Sequence, residues 1–101
     1  YPINLGSNIN TEYDETNPFY HQKNCKLYFS SAGHPSYGLS DIYVVNPSRM
    51  GEKPNFPINL GKNINSNQDD FGFILNDAGN IGFMLSKDKS ISKLYELTIS
   101  K

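Results

Sequence analysis

The sequence predicts an all-β protein built from two copies of one unit of short antiparallel strands. The stretch at residues 2–11 returns at residues 57–66 with eight of ten positions identical and an offset of 55. The apolar runs are short and are separated by residues that favour turns. No apolar pattern with the period of a helix persists for ten residues, so we expect essentially no helix.

The repeat continues beyond the copied stretch in the same register. Charged, apolar and aromatic positions are kept at the offset of 55, as in the pairs Asp14 and Asp69, Glu15 and Asp70, Phe19 and Ile74, Tyr28 and Phe83, and Ser31 and Ser86. After that point the second copy is three residues shorter, so that Asp41 matches Lys93. Self-similarity over such a distance is the signature of a repeat architecture.

The first copy predicts strands joined by polar, glycine-containing or proline-containing loops. An opening strand at 1–5 carries Pro2, which suits an edge strand, and stops at Gly6. A brief strand at 17–20 precedes a polar turn at 22–24. The run at 41–45 is the most strand-like of the chain because it is β-branched and aromatic. The remaining elements are strands at 26–31 and 56–60 and loops at 7–15, 32–40 and 46–55.

The second copy follows the same plan. We expect strands at 71–75 and 81–86, with a turn at 76–80 in which Gly79 is suited to a positive φ. A polar loop is predicted at 87–92, and the alternating run at 93–100 predicts the last strand.

A four-stranded antiparallel unit of about 40–55 residues is the blade of a β-propeller. We therefore interpret residues 1–101 as a partial propeller, with a first blade at 12–60 and an incomplete second blade at 67–101. Residues 1–6 are the outer strand either of a preceding blade or of the closing blade, where they would pair beside residues 94–99. The chain is expected to be a fragment of a larger propeller.

The composition of the chain excludes several kinds of partner and site. With nine basic and ten acidic residues, a net charge of −1 and no polybasic run, nucleic acid and an anionic membrane surface are not expected as main partners. No apolar run approaches 18 residues, so no membrane span is predicted. Cys25 is the single cysteine, which excludes an intrachain disulfide and predicts a thiol that is half-buried or lies in a turn. The first residue is Tyr1, which suggests a mature or proteolysed chain.

Three runs of the chain resemble the WD-like, TolB-like propeller repeat. They are residues 26–31 (Lys-Leu-Tyr-Phe-Ser-Ser), the segment 33–44 with Gly-His-Pro and Asp-Ile-Tyr-Val, and the copied stretch followed by Asp69 and Asp70. The similarity is strongest to peptidoglycan-associated, outer-membrane-protein-A-family lipoproteins of Bacteroidetes. It implies a location in the periplasm or at the outer membrane, within a secretion or gliding complex. The second copy departs from the pattern, since Lys93 replaces the aspartate.

The candidate interaction residues lie in the predicted loops at one end of the blades: Tyr13, Asp14, Glu15, His34, Tyr37, Asp69 and Asp70. The acidic pairs among them have two interpretations, a metal or acid–base site, or loop ends that accept backbone N–H groups and join the units. Their repetition favours the second interpretation. A zinc site at His21, Cys25 and His34 matches no finger spacing, so neither a metal nor another cofactor is predicted.

Two further patterns also have alternatives. The aromatic residues Tyr13, Tyr20, Tyr37 and Phe71 would either grip a glycan or fill the space between blades, and their abundance favours the second role. Ser30 and Ser31 lack the nucleophile-elbow pattern, so the chain is not expected to be an enzyme.

The favoured hypothesis is therefore a non-catalytic propeller module for protein–protein scaffolding in the bacterial envelope. The alternatives are a carbohydrate-binding propeller and a propeller fragment that gates a hydrolase in an absent domain. The expected partners are other envelope proteins or the remaining blades of the parent propeller. A homo-oligomer is also considered, because two blades bury little core and leave an open edge.

Overall fold

The structure is a computed structural model, and it describes residues 15–33, 40–46, 57–61, 64–66 and 68–99. Within these ranges every regular element is a β-strand, and all pairs of neighbouring strands are antiparallel. The prediction of an all-β chain of antiparallel sheets is confirmed for this part. None of the described residues forms a helix with the length and apolar character needed to cross a membrane.

The first sheet contains four strands in the order in which they occur along the chain. They are β1 (Glu15–His21), β2 (Lys26–Ser31), β3 (Asp41–Val45) and β4 (Ile58–Asn59). The predicted bounds of β2 and β3 are confirmed, and a turn at 22–25 joins β1 to β2. β4 is shorter than the predicted strand, because the chain turns away at Gly61, whose φ is +84°.

The second sheet contains β5 (Asp69–Leu75), β6 (Ile81–Asp88) and β7 (Ile91–Thr98). The predicted polar loop at 87–92 is wrong. β6 and β7 continue through this segment and pair Asp88 with Ile91 across a two-residue turn. Lys89 in that turn has a φ of +58°, the sign that tight hairpin turns require. Polar residues fit these strand ends because both sides of the hairpin face solvent here.

The two sheets share one register. The pairing of β1 with β2 shifts between Thr16 and Phe19, and the pairing of β5 with β6 shifts at the equivalent residues Phe71 and Ile74. A residue with positive φ occupies each bulge: Asn17 at +52° and Gly72 at +67°. Tyr28 pairs with Val44, and the matching residues Phe83 and Glu96 also pair. The sequence repeat, including the three-residue shortening, is therefore a structural repeat.

The main hydrophobic core lies between the two sheets, where β5 packs against β1, β2 and β3. Its buried members are Tyr28, Ile42, Phe73 and Met84. The rings of Tyr28 and Phe73 lie 5.0 Å apart between centroids, which is a favourable aromatic distance. A hydrogen bond of 2.9 Å from the Asp70 N–H to the Ser40 carbonyl also joins the sheets. The core therefore depends on the stacking of one unit on the other.

Candidate functional site

The copied stretch forms a connector, defined here as residues 57–66, that leaves the edge of the first sheet and leads into the second. The Leu60 N–H donates to the Ile42 carbonyl at 3.1 Å, which extends the pairing beside β3. At Gly61 the chain turns, and its N–H donates to Asn59 Oδ1 at 2.7 Å. A Cβ at Gly61 would meet nothing within 4 Å, so the positive φ is what requires glycine here.

Asn65 fastens the connector to β3 through an asparagine clamp, which is the set of three hydrogen bonds made by its side-chain amide. Oδ1 accepts the Ile42 N–H at 2.7 Å, and Nδ2 donates to the Ile42 carbonyl at 3.1 Å. Nδ2 also donates to Asn59 Oδ1 at 2.9 Å, while Asn59 Nδ2 donates to Asp41 Oδ2 at 3.0 Å. Asn65 is buried, so these bonds are shielded from water.

Sequence reasoning did not single out Asn59 or Asn65. The available signal was their identity with Asn4 and Asn10 in the first copy of the stretch. Asparagine recurs because its amide offers both a donor and an acceptor to one backbone residue. The second copy of the stretch thus joins β3 of the first sheet to β5 of the second sheet.

Asp70 is fully buried at the same end of the sheets. Its Oδ2 accepts the Ser66 N–H at 2.7 Å, and its Oδ1 accepts the hydroxyls of Ser66 at 2.7 Å and Ser86 at 2.8 Å. The backbone N–H of Asp70 bonds to the neighbouring sheet at Ser40. The predicted structural role, a loop end that accepts a backbone N–H and joins the units, is confirmed for Asp70.

The first unit repeats this arrangement in part. Ser31 Oγ donates to Glu15 Oε2 at 2.8 Å, and Ser31 matches Ser86 as Glu15 matches Asp70. Asp69 forms an isolated parallel bridge with Ser40. The structure thus brings Glu15, Asp69 and Asp70 to one end of the sheets. The other predicted residues, Tyr13, Asp14, His34 and Tyr37, lie outside the described residues.

Burial raises the pKa of Asp70 above its ordinary value. Hydrogen bonds from Ser66 and Ser86 lower this pKa in part, and the nearby charge of Asp41 raises it further. A carboxyl whose pKa is higher in the folded state stabilises the fold below its unfolded pKa of about 4 and loses that contribution as the pH rises through the folded value. This pH dependence of stability is opposite in sign to that produced by a carboxylate in a salt bridge, whose pKa is lowered.

Asp70→Asn is therefore expected to change the pH dependence of stability. Asparagine keeps an acceptor for the Ser66 N–H but does not titrate, so the stability of wild type relative to this variant should increase as the pH falls from about 7 to about 4. Thermal melting of both proteins across this range measures the difference. Asp77→Asn, in the exposed turn after β5, controls for the change in net charge. A stability advantage of wild type over Asp70→Asn that shrinks as the pH falls would contradict the raised pKa of Asp70.

His21 and Cys25 have local structural contacts. His21 Nδ1 accepts the Asn24 N–H at 3.2 Å, so the ring proton lies on Nε2, which donates to the Asn76 carbonyl at 2.8 Å. His21 and Asn76 are repeat counterparts, so this bond joins equivalent ends of the two units. Cys25 lies in the exposed turn after β1, as predicted. The described residues contain no group of three or more His, Cys, Asp or Glu placed to hold a metal ion.

The aromatic side chains divide between the core and the surface. Tyr28 and Phe73 fill the space between the sheets, but the prediction that Tyr20 does so is wrong, since Tyr20 is an exposed side chain. Phe19 packs against the core, and the next residue of a strand points to the opposite side. Phe71 is half-buried.

The second sheet exposes positions that are buried in the first. Ile42 and Tyr43 in β3 are 0% and 2% exposed, whereas their counterparts Leu94 and Tyr95 in β7 are 69% and 44% exposed. Tyr28 is buried, but its counterpart Phe83 is exposed. We define the outer face as the exposed apolar residues on the side of the second sheet away from the first sheet: Ile74, Ile81, Phe83 and Leu94. These residues form an exposed apolar surface on the second sheet.

A shallow groove of about 240 Å³ lies between the connector and β7. Its lining combines the polar side chains of Ser66 and Gln68 with the ring of Tyr95. The volume is below the range of about 300–1,000 Å³ that is usual for small-molecule sites. The outer face is therefore a stronger candidate than the groove.

No protein-family model, curated protein or solved structure matches the chain. The similarity to the TolB-like repeat rests on the sequence runs alone. The geometry of the repeat and the surfaces that the second sheet exposes are accordingly the features that bear on function.

Proposed function

We propose that the chain is a non-catalytic module of a β-propeller that mediates protein–protein contacts in the bacterial cell envelope. One observation carries the proposal. The outer face of the second sheet is exposed, although its counterparts in the first sheet, such as Tyr28 and Ile42, are buried by the neighbouring unit. A contiguous exposed apolar surface on a soluble fold is typical of a protein-binding site.

The propeller assignment is supported by the shared register of the sheets and by their stacking through the connector. A four-stranded antiparallel unit that repeats around an axis is the plan of a propeller blade. The envelope location, periplasmic or associated with the outer membrane, rests on the similarity to the TolB-like repeat of envelope lipoproteins.

The non-catalytic role is supported by the way the acidic groups are used. Glu15 accepts a hydrogen bond from the Ser31 hydroxyl, and Asp70 accepts three hydrogen bonds from residues of the same chain. Both carboxylates belong to a structural arrangement that recurs in each unit. A catalytic group has no reason to recur with its local partner in this way.

Photo-crosslinking in living cells tests the proposal. The chain is exported to the periplasm of a Bacteroidetes host with a photoreactive residue in place of Ile81 on the outer face. We expect an adduct with one defined envelope protein, identified by mass spectrometry. Phe83→Lys should abolish this adduct, because it places a charge in the centre of the apolar face.

Tyr20→Lys is the matched control, since Tyr20 is a similarly exposed aromatic residue on the first sheet. It should leave the adduct unchanged. The absence of a specific adduct, or equal losses in both variants, would contradict the proposal. If the purified chain binds a glycan on an array and loses this binding when Tyr95 is substituted, the carbohydrate-binding alternative is favoured instead.

A further inference from the structure

A second pocket, of about 250 Å³, lies beside the tight hairpin that joins β6 to β7. We call it the hairpin pocket. Its lining comes from the residue before β5, from the ends of β6 and β7 and from the turn between them, so all of it belongs to the second unit. The second copy of the repeat is three residues shorter in this segment. The hairpin pocket is therefore a feature of the segment in which the two copies differ.

The register of the hairpin places charges of both signs in this pocket. Asp88 lies opposite Ile91, and Ser86 lies opposite Lys93. Residues directly opposite each other share a face of the sheet, as do alternate residues of one strand. Asp88, Ile91 and Lys93 therefore share one face, and all three line the pocket. Asp88 and Lys93 are diagonal neighbours, which lie about 7 to 8 Å apart in an antiparallel pair.

The opposite charges of Asp88 and Lys93 are not paired with each other. Neither side chain forms an ion pair or a hydrogen bond with any residue in the described ranges. Two unpaired charges of opposite sign in one small pocket are complementary to a ligand that itself carries both signs. An isolated anion would be attracted by the ammonium group of Lys93 but repelled by the carboxylate of Asp88.

Gln68 supplies an uncharged donor on the same side of the pocket as Lys93. Gln68 Oε1 lies 3.3 Å from Ser86 Oγ, and Ser86 is the residue opposite Lys93. Ser86 is buried and bonds to Asp70, so this part of the pocket wall is held by the fold. The N–H groups of Gln68 Nε2 have no acceptor among the described residues. They are available to donate to a carboxylate of a ligand.

The remaining wall of the hairpin pocket is apolar. Ile91 and the ring of Tyr95 line it, and these side chains are 62% and 44% exposed. The volume is below the range of about 300–1,000 Å³ that is usual for drug-sized ligands. The ligand must therefore be small, with a doubly charged head and a short apolar group.

We propose that the hairpin pocket binds a free α-amino acid with an apolar side chain. Lys93 and Gln68 Nε2 hold the carboxylate, and Asp88 holds the ammonium group. The apolar side chain of the ligand rests on Ile91 and Tyr95. This site is additional to the proposed contact role, because the outer face lies on the opposite side of the second sheet.

The first test follows the amide NMR spectrum of the purified full chain during titration with L-leucine. The amide signals of Gln68, Asp88 and Lys93 should shift, because these residues surround the bound zwitterion. Leucine amide lacks the carboxylate, and N-acetyl-leucine lacks the ammonium group. Each should bind about tenfold more weakly than leucine, as expected for the loss of one hydrogen bond to a charged group.

The second test combines variants with the same ligands. Lys93→Gln should weaken leucine binding about tenfold and leave the binding of leucine amide unchanged, because only the contact to the carboxylate is lost. Asp88→Asn should weaken leucine binding to the same extent and leave the binding of N-acetyl-leucine unchanged. Both positions are exposed, and circular dichroism of each variant establishes that it is folded.

Lys87→Gln is the matched control for Lys93→Gln. Lys87 is exposed in the same hairpin, and the two substitutions change the net charge equally. Lys87 follows Ser86 directly in β6, so its side chain lies on the opposite face of the strand. The Lys87→Gln variant should bind leucine as wild type does.

Three results would overturn the inference: no shift of the pocket amide signals with leucine, equal affinity for leucine and its two derivatives, or equal losses in Lys93→Gln and Lys87→Gln. Lys93→Gln should retain the Phe83-dependent adduct in cells, since that adduct forms on the other side of the sheet. A failure to bind leucine therefore overturns this inference alone, and absence of the adduct overturns the proposed function alone.

Discussion

Asn65→Ala is expected to lower the free energy of unfolding by about 3 kcal/mol or more, since each buried polar group left without a partner costs about 1–3 kcal/mol. The variant removes all three bonds of the asparagine clamp, which are made to the Ile42 N–H, the Ile42 carbonyl and Asn59 Oδ1. The Ile42 N–H then loses its acceptor inside the interface between the sheets. The connector also loses its attachment to β3, so the stacking of the two units should weaken.

For a domain of this size, such a loss corresponds to a fall on the order of 15 °C in the melting midpoint. Chemical denaturation followed by circular dichroism measures the free energy. Asn76→Ala is the control, because the Asn76 side chain also makes three hydrogen bonds but lies exposed in the turn after β5. Its cost should be about 1 kcal/mol or less, since water replaces the lost bonds. Equal costs at the two sites would contradict the structural role of the clamp.

Phe73→Ala is expected to lower the free energy of unfolding by about 3 to 5 kcal/mol, the usual cost of removing a buried phenylalanine. Phe73 is buried between the sheets and packs against Tyr28, Ile42 and Met84. Its removal leaves a cavity on the only described surface through which the two sheets share a core. A module of two units has a small stability margin, so a loss of this size should leave much of the chain unfolded at ambient temperature.

Phe83→Ala is the matched control for this variant. Phe83 lies in β6 of the same sheet, but its side chain is on the exposed outer face. Its loss should cost about 1 to 2 kcal/mol, because Phe83 is 37% exposed whereas Phe73 is 2% exposed. Urea unfolding of the two variants gives both values, and a larger effect at Phe83 would place the principal core on the other side of the sheet. The same variant should weaken partner binding if the outer face is the contact surface.

The sequence determined where most strands lie because their residues carry local signals. β2 and β3 are β-branched and aromatic runs between turn residues, and their bounds follow from that composition. The repeat also predicted equivalent positions, since an insertion or deletion shifts every later residue by the same amount. The hairpin at Lys89 was missed, because its polar strand ends resemble a loop when solvent surrounds both faces.

The candidate site was only partly predictable. Acidic residues at equivalent positions of the two copies indicated a structural role for Asp70. The hydrogen bonds that Asp70 accepts from Ser66 and Ser86 confirm that role. The burial of Asp70 could not be predicted from the sequence, because an exposed loop and a buried loop end use the same residue types. The exposure of Leu94 was equally hidden, since a leucine in an alternating strand is usually expected inside.

Local residue patterns were therefore sufficient to predict an all-β chain of antiparallel strands, the repeat and its register. Which side chains are buried and which polar groups meet could be read only from the folded chain, because both depend on how one unit stacks on another. Asn65 meets Ile42 across 23 residues of chain, and no local preference records such a contact. The exposure of Leu94 is likewise a property of the assembled sheets, since a strand carries no mark of whether a neighbour is present.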